Sequence, residues 1–101
     1  MAVRRTQFRT KKSVFVAIKQ MDLLRDKVTP LKVIDLYLAE VAPHDVDILR
    51  LKANVLDIQL KYSQSLRIYK KLIRINPTDV LALIDMGDLY AHRDQYACAI
   101  R

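Results

Sequence analysis

Glycine is nearly missing from this sequence: Gly87 is the single copy in 101 residues. A loop that cradles phosphates needs several glycines at fixed spacing, so nucleotide-binding motifs of that kind are excluded. Tryptophan is absent and proline occurs three times. The single cysteine, Cys98, cannot close a disulfide within the chain, and a reducing compartment, the cytoplasm, is the expected location. It lies between Ala97 and Ala99, a setting that suits a small buried hydrophobe better than a nucleophile. No apolar run reaches the roughly 18 residues of a membrane span. No basic stretch followed by an apolar one and a cleavage site opens the chain. The two histidines, His44 and His92, fall where turns are expected, and no Cys/His cluster has metal-ligand spacing. No metal or cofactor is therefore expected. Asp85 and Asp88 are close in sequence but have no pocket-forming partner, so they read as a solvated face. No catalytic residue is assigned, and the chain is not expected to be an enzyme.

What is present favours helices. Apolar residues make up 51% and charged residues 29%, which is enough apolar surface to build a core rather than a disordered chain. Leu, Ile, Lys, Asp and Ala dominate, as suits helices. The net charge of +7 is unevenly spread. Segment 1–21 holds six basic and no acidic side chains, and segment 46–76 holds seven basic and two acidic. The remaining two segments are each net negative.

The apolar spacing predicts an all-α fold. Residues 1–12 lack a helical period and read as a flexible basic arm. A first helix is expected from about Ser13 to Lys27, stacking Val14, Ile18, Met21 and Leu24 or Arg25. Thr29-Pro30 then reads as an N-cap followed by proline at the first helical position. The second helix places Leu31, Ile34, Leu38 and Val41 in register and is expected to end at Pro43. The third, in HDVDILRLKANVLDI, aligns Val46, Leu49, Ala53 and Leu56. The fourth runs from Tyr62 to Ile75, with Leu66, Tyr69 and Ile73 on one face, before Asn76-Pro77 breaks it. A fifth is expected from about Asp79 to Ala91, a turn at HRD, and a sixth from near Gln95. The chain thus reads as three helical hairpins, the last incomplete.

Sliding the sequence so that Pro43 meets Pro77 pairs segment 43–67 with segment 77–101. Six of those pairs are identical: Pro43/Pro77, Asp45/Asp79, Val46/Val80, Leu49/Leu83, Tyr62/Tyr96 and Arg67/Arg101. Small residues face small residues at Ala53/Gly87 and Ser65/Ala99. A helix–turn–helix period of this length, with phased proline and small positions, resembles the tetratricopeptide repeat, whose pattern is W-x2-L-G-x2-Y, then A-x3-F, then P. Here it reads Leu83-x2-Met86-Gly87-x2-Tyr90 with Ala99 in one unit. In the other it reads Leu49-x2-Lys52-Ala53-x2-Leu56, then Ser65-x3-Tyr69, then Pro77. Leucine stands in the tryptophan position of both units, and Lys52 stands where leucine is usual. The resemblance divides residues 13–101 into a diverged or capping hairpin (13–42), a repeat (43–76) and an incomplete repeat (77–101). It implies a right-handed stack of helical hairpins. Leu49, Ala53, Leu56, Ser65, Tyr69, Pro77, Leu83, Gly87, Tyr90 and Ala99 would be its packing positions. Gly87 would let the two helices of its hairpin cross closely.

The resemblance also implies a binding role. In such arrays the first helix of each hairpin lines a concave groove where peptides or partner helices dock. By analogy the groove residues are Asp47, Arg50, Asn54 and Asp57 from one unit, and Leu81, Ile84 and Asp88 from the next. Chaperone-binding members grip a C-terminal carboxylate with a basic residue and an asparagine at the Arg50/Asn54 spacing. The next unit offers Ile84 and Asp88 instead, so chaperone-tail recognition is not expected. A protein–protein interaction scaffold is the expected function. The alternative is an adaptor held to nucleic acid or an anionic surface by two basic features. One is the arm with Arg4, Arg5, Arg9, Lys11 and Lys12. The other is the stripe Arg67, Lys70, Lys71 and Arg74, spaced i, i+3, i+4, i+7 on the fourth helix. That stripe also suits the polar face and the C-terminal dipole of an amphipathic helix. A last hairpin without its second helix leaves an apolar face uncovered. A longer natural chain, self-association or marginal order of the end would each account for it, and a longer chain is the expectation.

Overall fold

The computed structural model describes the backbone of residues 9–99 and the side chains of residues 9–95. Among the described residues there are five helices and no strand: α1 (Lys11–Lys19), α2 (Thr29–Glu40), α3 (Val46–Ile58), α4 (Tyr62–Ile75) and α5 (Val80–Ala99). The Cα trace measures 44 × 33 × 17 Å. Its thin dimension fits two layers of helices, which pack about 8–10 Å apart. The fold is all-α, with successive helices packed on one another in the manner of a tetratricopeptide-like helical repeat.

Local chemistry sets the helix ends. Thr10 caps α1: its hydroxyl accepts from the Ser13 N–H at 3.2 Å, and Ser13 Oγ lies 3.4 Å from the Thr10 N–H in return. The helix expected to reach Lys27 stops at Lys19. The reason is competition from short acidic side chains. Asp22 accepts from the Arg25 N–H at 3.3 Å, and Asp26 accepts from the N–H groups of Val28 and Thr29 at 3.1 and 2.9 Å. The bonds from Thr29 and Val28 hold the Asp26 carboxyl below the usual carboxylate range. They also displace the expected threonine cap. Thr29 is already the first residue of α2, Pro30 follows it, and Asp26 accepts from the N–H groups of Val28 and Thr29 at the helix start. Leu24, expected to stack inward, is exposed. The second helix ends at Glu40, before Pro43, with the Val41 N–H bonded to the Tyr37 carbonyl.

Two equivalent aspartates begin the next units. Asp45 caps α3, its Oδ1 accepting from the Asp47 and Ile48 N–H groups, while its Oδ2 accepts from the Tyr37 hydroxyl at 3.1 Å. Burial, and next the hydrogen bond to Asp45, push the Tyr37 hydroxyl above its ordinary pKa. Asp79, the counterpart of Asp45 in the following unit, places Oδ1 3.1 Å from the Ala82 N–H at the start of α5 and Oδ2 3.5 Å from Arg50 of α3.

The centre of the molecule is α3. On one side, Ile48 and Val55 join Val14, Ile18, Val33, Ile34 and Tyr37 of the first two helices. On the other, Leu49 and Ala53 join Tyr69 and Leu72 of α4 and Ala82 and Leu89 of α5. Each fully buried leucine or isoleucine here stabilises the fold by roughly 1.5–3 kcal/mol relative to exposure. Where α3 and α4 cross, Ala53 and Ser65 are both fully buried, and Ser65 Oγ donates to the Ala53 carbonyl at 2.7 Å. Gln59 to Lys61 make the turn between them, and Leu60 takes a left-handed φ of 65°.

The largest difference from the sequence reading lies at the C-terminal end. The expected turn at HRD and the expected sixth helix are replaced by one continuous helix through Ala99. Between Val80 and Ala99 there is no proline, and the segment 91–95 holds no glycine either, so nothing in it halts a helix. Among the described residues Gly87 meets no second helix: a Cβ built there has no neighbouring atom within 4 Å. Leu83, Pro77 and Tyr90, expected as packing positions, are exposed, whereas Leu49, Ala53, Leu56, Ser65 and Tyr69 are buried. The side chain of Ala99 lies outside the described residues.

Candidate functional site

Helical geometry gives α5 three working faces. Ala82 and Leu89, two turns apart, point into the core and are buried. Leu81, Asp85, Asp88 and His92 follow one flank at i, i+4, i+7 and i+11, on the α3 side. Met86 and Tyr90 follow the other flank, toward α4. Each flank borders an open cavity, and the two cavities have opposite charge.

The α3 side holds a cavity of about 370 Å³ lined by Asn54, Asp57, Ile58, Asp85, Asp88 and His92. Three of the seven expected groove residues, Asn54, Asp57 and Asp88, line it. Leu81 and Ile84 are 56% and 53% exposed on the same helix as Asp88. Several of these groups are engaged within the chain. The Tyr69 hydroxyl donates to Asn54 Oδ1 at 2.6 Å, and His92 Nδ1 lies 3.0 Å from Asp57 Oδ2. Arg50 lies 3.5 Å from both Asp79 and Asp47, and Lys11 pairs with Asp47 at 2.9 Å. The hydrogen bond from Lys11 holds the Asp47 carboxyl below the usual range. Arg50 and Asn54 therefore already have partners inside the molecule and do not present the free pair that a terminal-carboxylate clamp uses.

Asp85 contributes the distinctive electrostatics of this cavity. Burial pushes its carboxyl above the usual range; Arg50 opposes the rise and Asp88 reinforces it. The Tyr69 hydroxyl is also raised, first by burial and then by the charges of Asp85 and Asp57. Sequence reading misses Asp85, Ile58 and His92 as groove residues. The i, i+3, i+4, i+7 pattern of Leu81, Ile84, Asp85 and Asp88 is the signal that could have placed Asp85 there.

The α4 side holds a larger cavity, about 670 Å³, lined by Arg67, Lys70, Ile73, Arg74, Met86 and Tyr90. Three of the four cations of the basic stripe thus stand along one groove, and Lys71 lies off it. None of the four has an ion-pair partner among the described residues. The arm divides differently. Arg4 and Arg5 lie outside the described residues, Arg9 and Lys12 are exposed, and Lys11 is held by Asp45 and Asp47. Among the described residues no group of three His, Cys, Asp or Glu side chains is placed to hold a metal ion. No described helix is long and apolar enough to cross a membrane.

The packing of α3, α4 and α5 is that of stacked helical hairpins, and comparison with known families agrees. Residues 68–101 match the family model described as Tetratricopeptide repeat. This stretch, about a third of the chain, is similar to a tetratricopeptide repeat. The matched stretch is one repeat long and takes in the second half of α4 and all of α5, the two helices that enclose the larger groove. No curated protein and no solved structure matches the chain. Tetratricopeptide repeats generally mediate protein–protein interaction.

Proposed function

We propose that the chain is a non-catalytic interaction module that binds a peptide or partner helix along the α3–α5 groove. One observation carries this reading: Leu81 and Ile84 stand exposed beside the carboxylate-lined cavity of Asp57, Asp85 and Asp88. Exposed apolar side chains next to fixed charges are the composition of a docking surface, with the apolar part giving affinity and the charge giving register. The surplus of carboxylates selects a ligand with a basic residue beside apolar ones. Arg50 and Asn54 act here through internal bonds to Asp79 and Tyr69 that fix α3 against α5 and α4, and Asp47 ties α3 to Lys11 of α1.

The test is affinity capture on the full chain, before and after nuclease treatment, with captured proteins identified by mass spectrometry. The expected result is a discrete set that survives nuclease and is lost from the Leu81→Ala/Ile84→Ala double variant. Both residues are exposed, so the variant keeps the fold. Capture that vanishes with nuclease and is unchanged in the double variant removes the groove from the account.

A further inference from the structure

Two cavities on the α3 side of α5 meet at one contact. Beside the cavity of about 370 Å³ lies a second of about 220 Å³, lined by Asp57, Ile58, Leu60, Tyr62 and His92. Asp57, Ile58 and His92 belong to both. At this boundary His92 Nδ1 of α5 lies 3.0 Å from Asp57 Oδ2 of α3. The partners are unequally placed: the Asp57 side chain is 12% exposed and that of His92 54%. A carboxylate this far withdrawn from water needs a hydrogen-bond donor. Among the described residues the imidazole supplies it. The half-exposed imidazole can swing out to water when another donor arrives.

The groups around His92 set the sign of the effect. Asp57 faces it from α3, Asp85 and Asp88 line the shared cavity from its own helix, and Tyr62 reaches the second cavity from the start of α4. Arg50 acts on Asp85 but pairs with Asp47 and Asp79. Arg93, next in sequence, stacks on Tyr90 at the other flank. Neither cavity has a lysine or arginine in its lining. An imidazolium there is held by a charge-assisted bond, about twice as strong as the neutral one. It also offsets one of the three carboxylates that draw a basic ligand into the cavity. We infer that His92 gates the α3–α5 groove by pH: as imidazolium it occupies Asp57 in place of a partner's lysine or arginine, and as neutral imidazole it gives that carboxylate up. The inference rests on the groove reading above and adds its regulation. Basic partners bind tightly above the range in which imidazoles titrate, pH about 5–8, and are released below it. Asp85 acts in the same direction at the acid end, because burial already raises its carboxyl. A variant at His92 separates the two.

The test uses the full chain and a designed amphipathic helical peptide with lysines flanking a leucine face. A control peptide has glutamine for each lysine. Fluorescence anisotropy at pH about 5.5 and about 8 gives the affinities. The lysine peptide is expected to bind about tenfold tighter at the higher pH. That is the loss one competing proton produces about one unit below an imidazole's ordinary pKa of about 6.5. The glutamine peptide should be weaker and show no such response. His92→Gln, at a half-exposed helical position, keeps the fold and cannot take a charge. It should bind the lysine peptide equally at both pH values, as tightly as wild type does at the higher one. Calorimetry in two buffers of different ionisation heat should show proton release on binding near pH 6 in wild type and none in the variant. Equal affinity at the two pH values in wild type, or a pH response that persists in His92→Gln, overturns the gate and leaves the groove standing. A lysine peptide that binds neither protein at either pH, or that Leu81→Ala/Ile84→Ala binds unchanged, overturns the groove reading and the gate with it.

Discussion

Replacing Gly87 by alanine should make the free chain more stable, although a family pattern places a small residue there for packing. Gly87 sits well inside the long helix α5. In such a position alanine is favoured over glycine by about 0.8–1 kcal/mol, because glycine surrenders more backbone freedom on folding. The steric debit that could cancel this gain is absent, since the added Cβ meets no atom within 4 Å. The expected gain is therefore close to the full propensity difference. For a domain of this size it corresponds to a rise in Tm of about 4–8 °C. Urea unfolding followed by far-ultraviolet circular dichroism should show a higher midpoint at an unchanged slope, which marks a change in stability alone. The control is Ala53→Gly at the equivalent position of the first unit. Ala53 is fully buried beneath Ser65, so the propensity loss and the loss of a packed methyl add to a cost of about 2 kcal/mol. If Gly87→Ala is neutral or destabilising, something already lies on that face of α5 in the free chain, and the open face is refuted.

Leu60 holds a left-handed φ of 65°, so Leu60→Gly should stabilise the chain by up to about 1 kcal/mol, read from the denaturation midpoint. Tyr69→Phe removes the 2.6 Å bond to Asn54 while keeping the buried ring, and should cost about 1 kcal/mol in the same assay. Asp85→Asn should raise stability at pH 7. The folded carboxyl is raised above its unfolded value of 3.8, so the native state binds more protons, and wild-type stability falls as pH rises between those two values. The difference between Asn variant and wild type should shrink as pH drops through the folded value and vanish below about 3.8, as pH-resolved unfolding would show.

The parts of the fold legible in the sequence are those whose signals are local. The fourth helix is readable to the residue because Asn76-Pro77 stops it and its apolar and cationic residues separate cleanly. The first helix is overread because Met21 and Leu24 keep a helical period through a segment that Asp22 and Asp26 fold into turns by bonding its backbone. The turn at HRD follows from the repeat, yet the local sequence carries no residue that halts a helix. The groove is legible only as a set of positions. That Arg50, Asn54 and Asp57 are already partnered depends on Asp79, Tyr69 and His92, which arrive from other parts of the chain. The basic stripe is plain as a pattern, but its place on the rim of a cavity needs Met86 and Tyr90 beside it, and only the packing of α4 on α5 brings them there.

Asp45 and Asp79 carry a consequence for how such a chain can change length. Each uses one carboxylate oxygen for the helix it begins and the other for a side chain of an earlier helix: Tyr37 for Asp45, Arg50 for Asp79. Inserting one residue beside either aspartate breaks at least one half of that bond and leaves a buried charge short of a partner, which is costly. Duplicating or deleting the whole stretch from one aspartate to the next leaves every such junction as it was. Sequence drift between the junctions is cheap, slippage at them is not, and a lineage built on this carboxylate joint grows or shrinks by whole units.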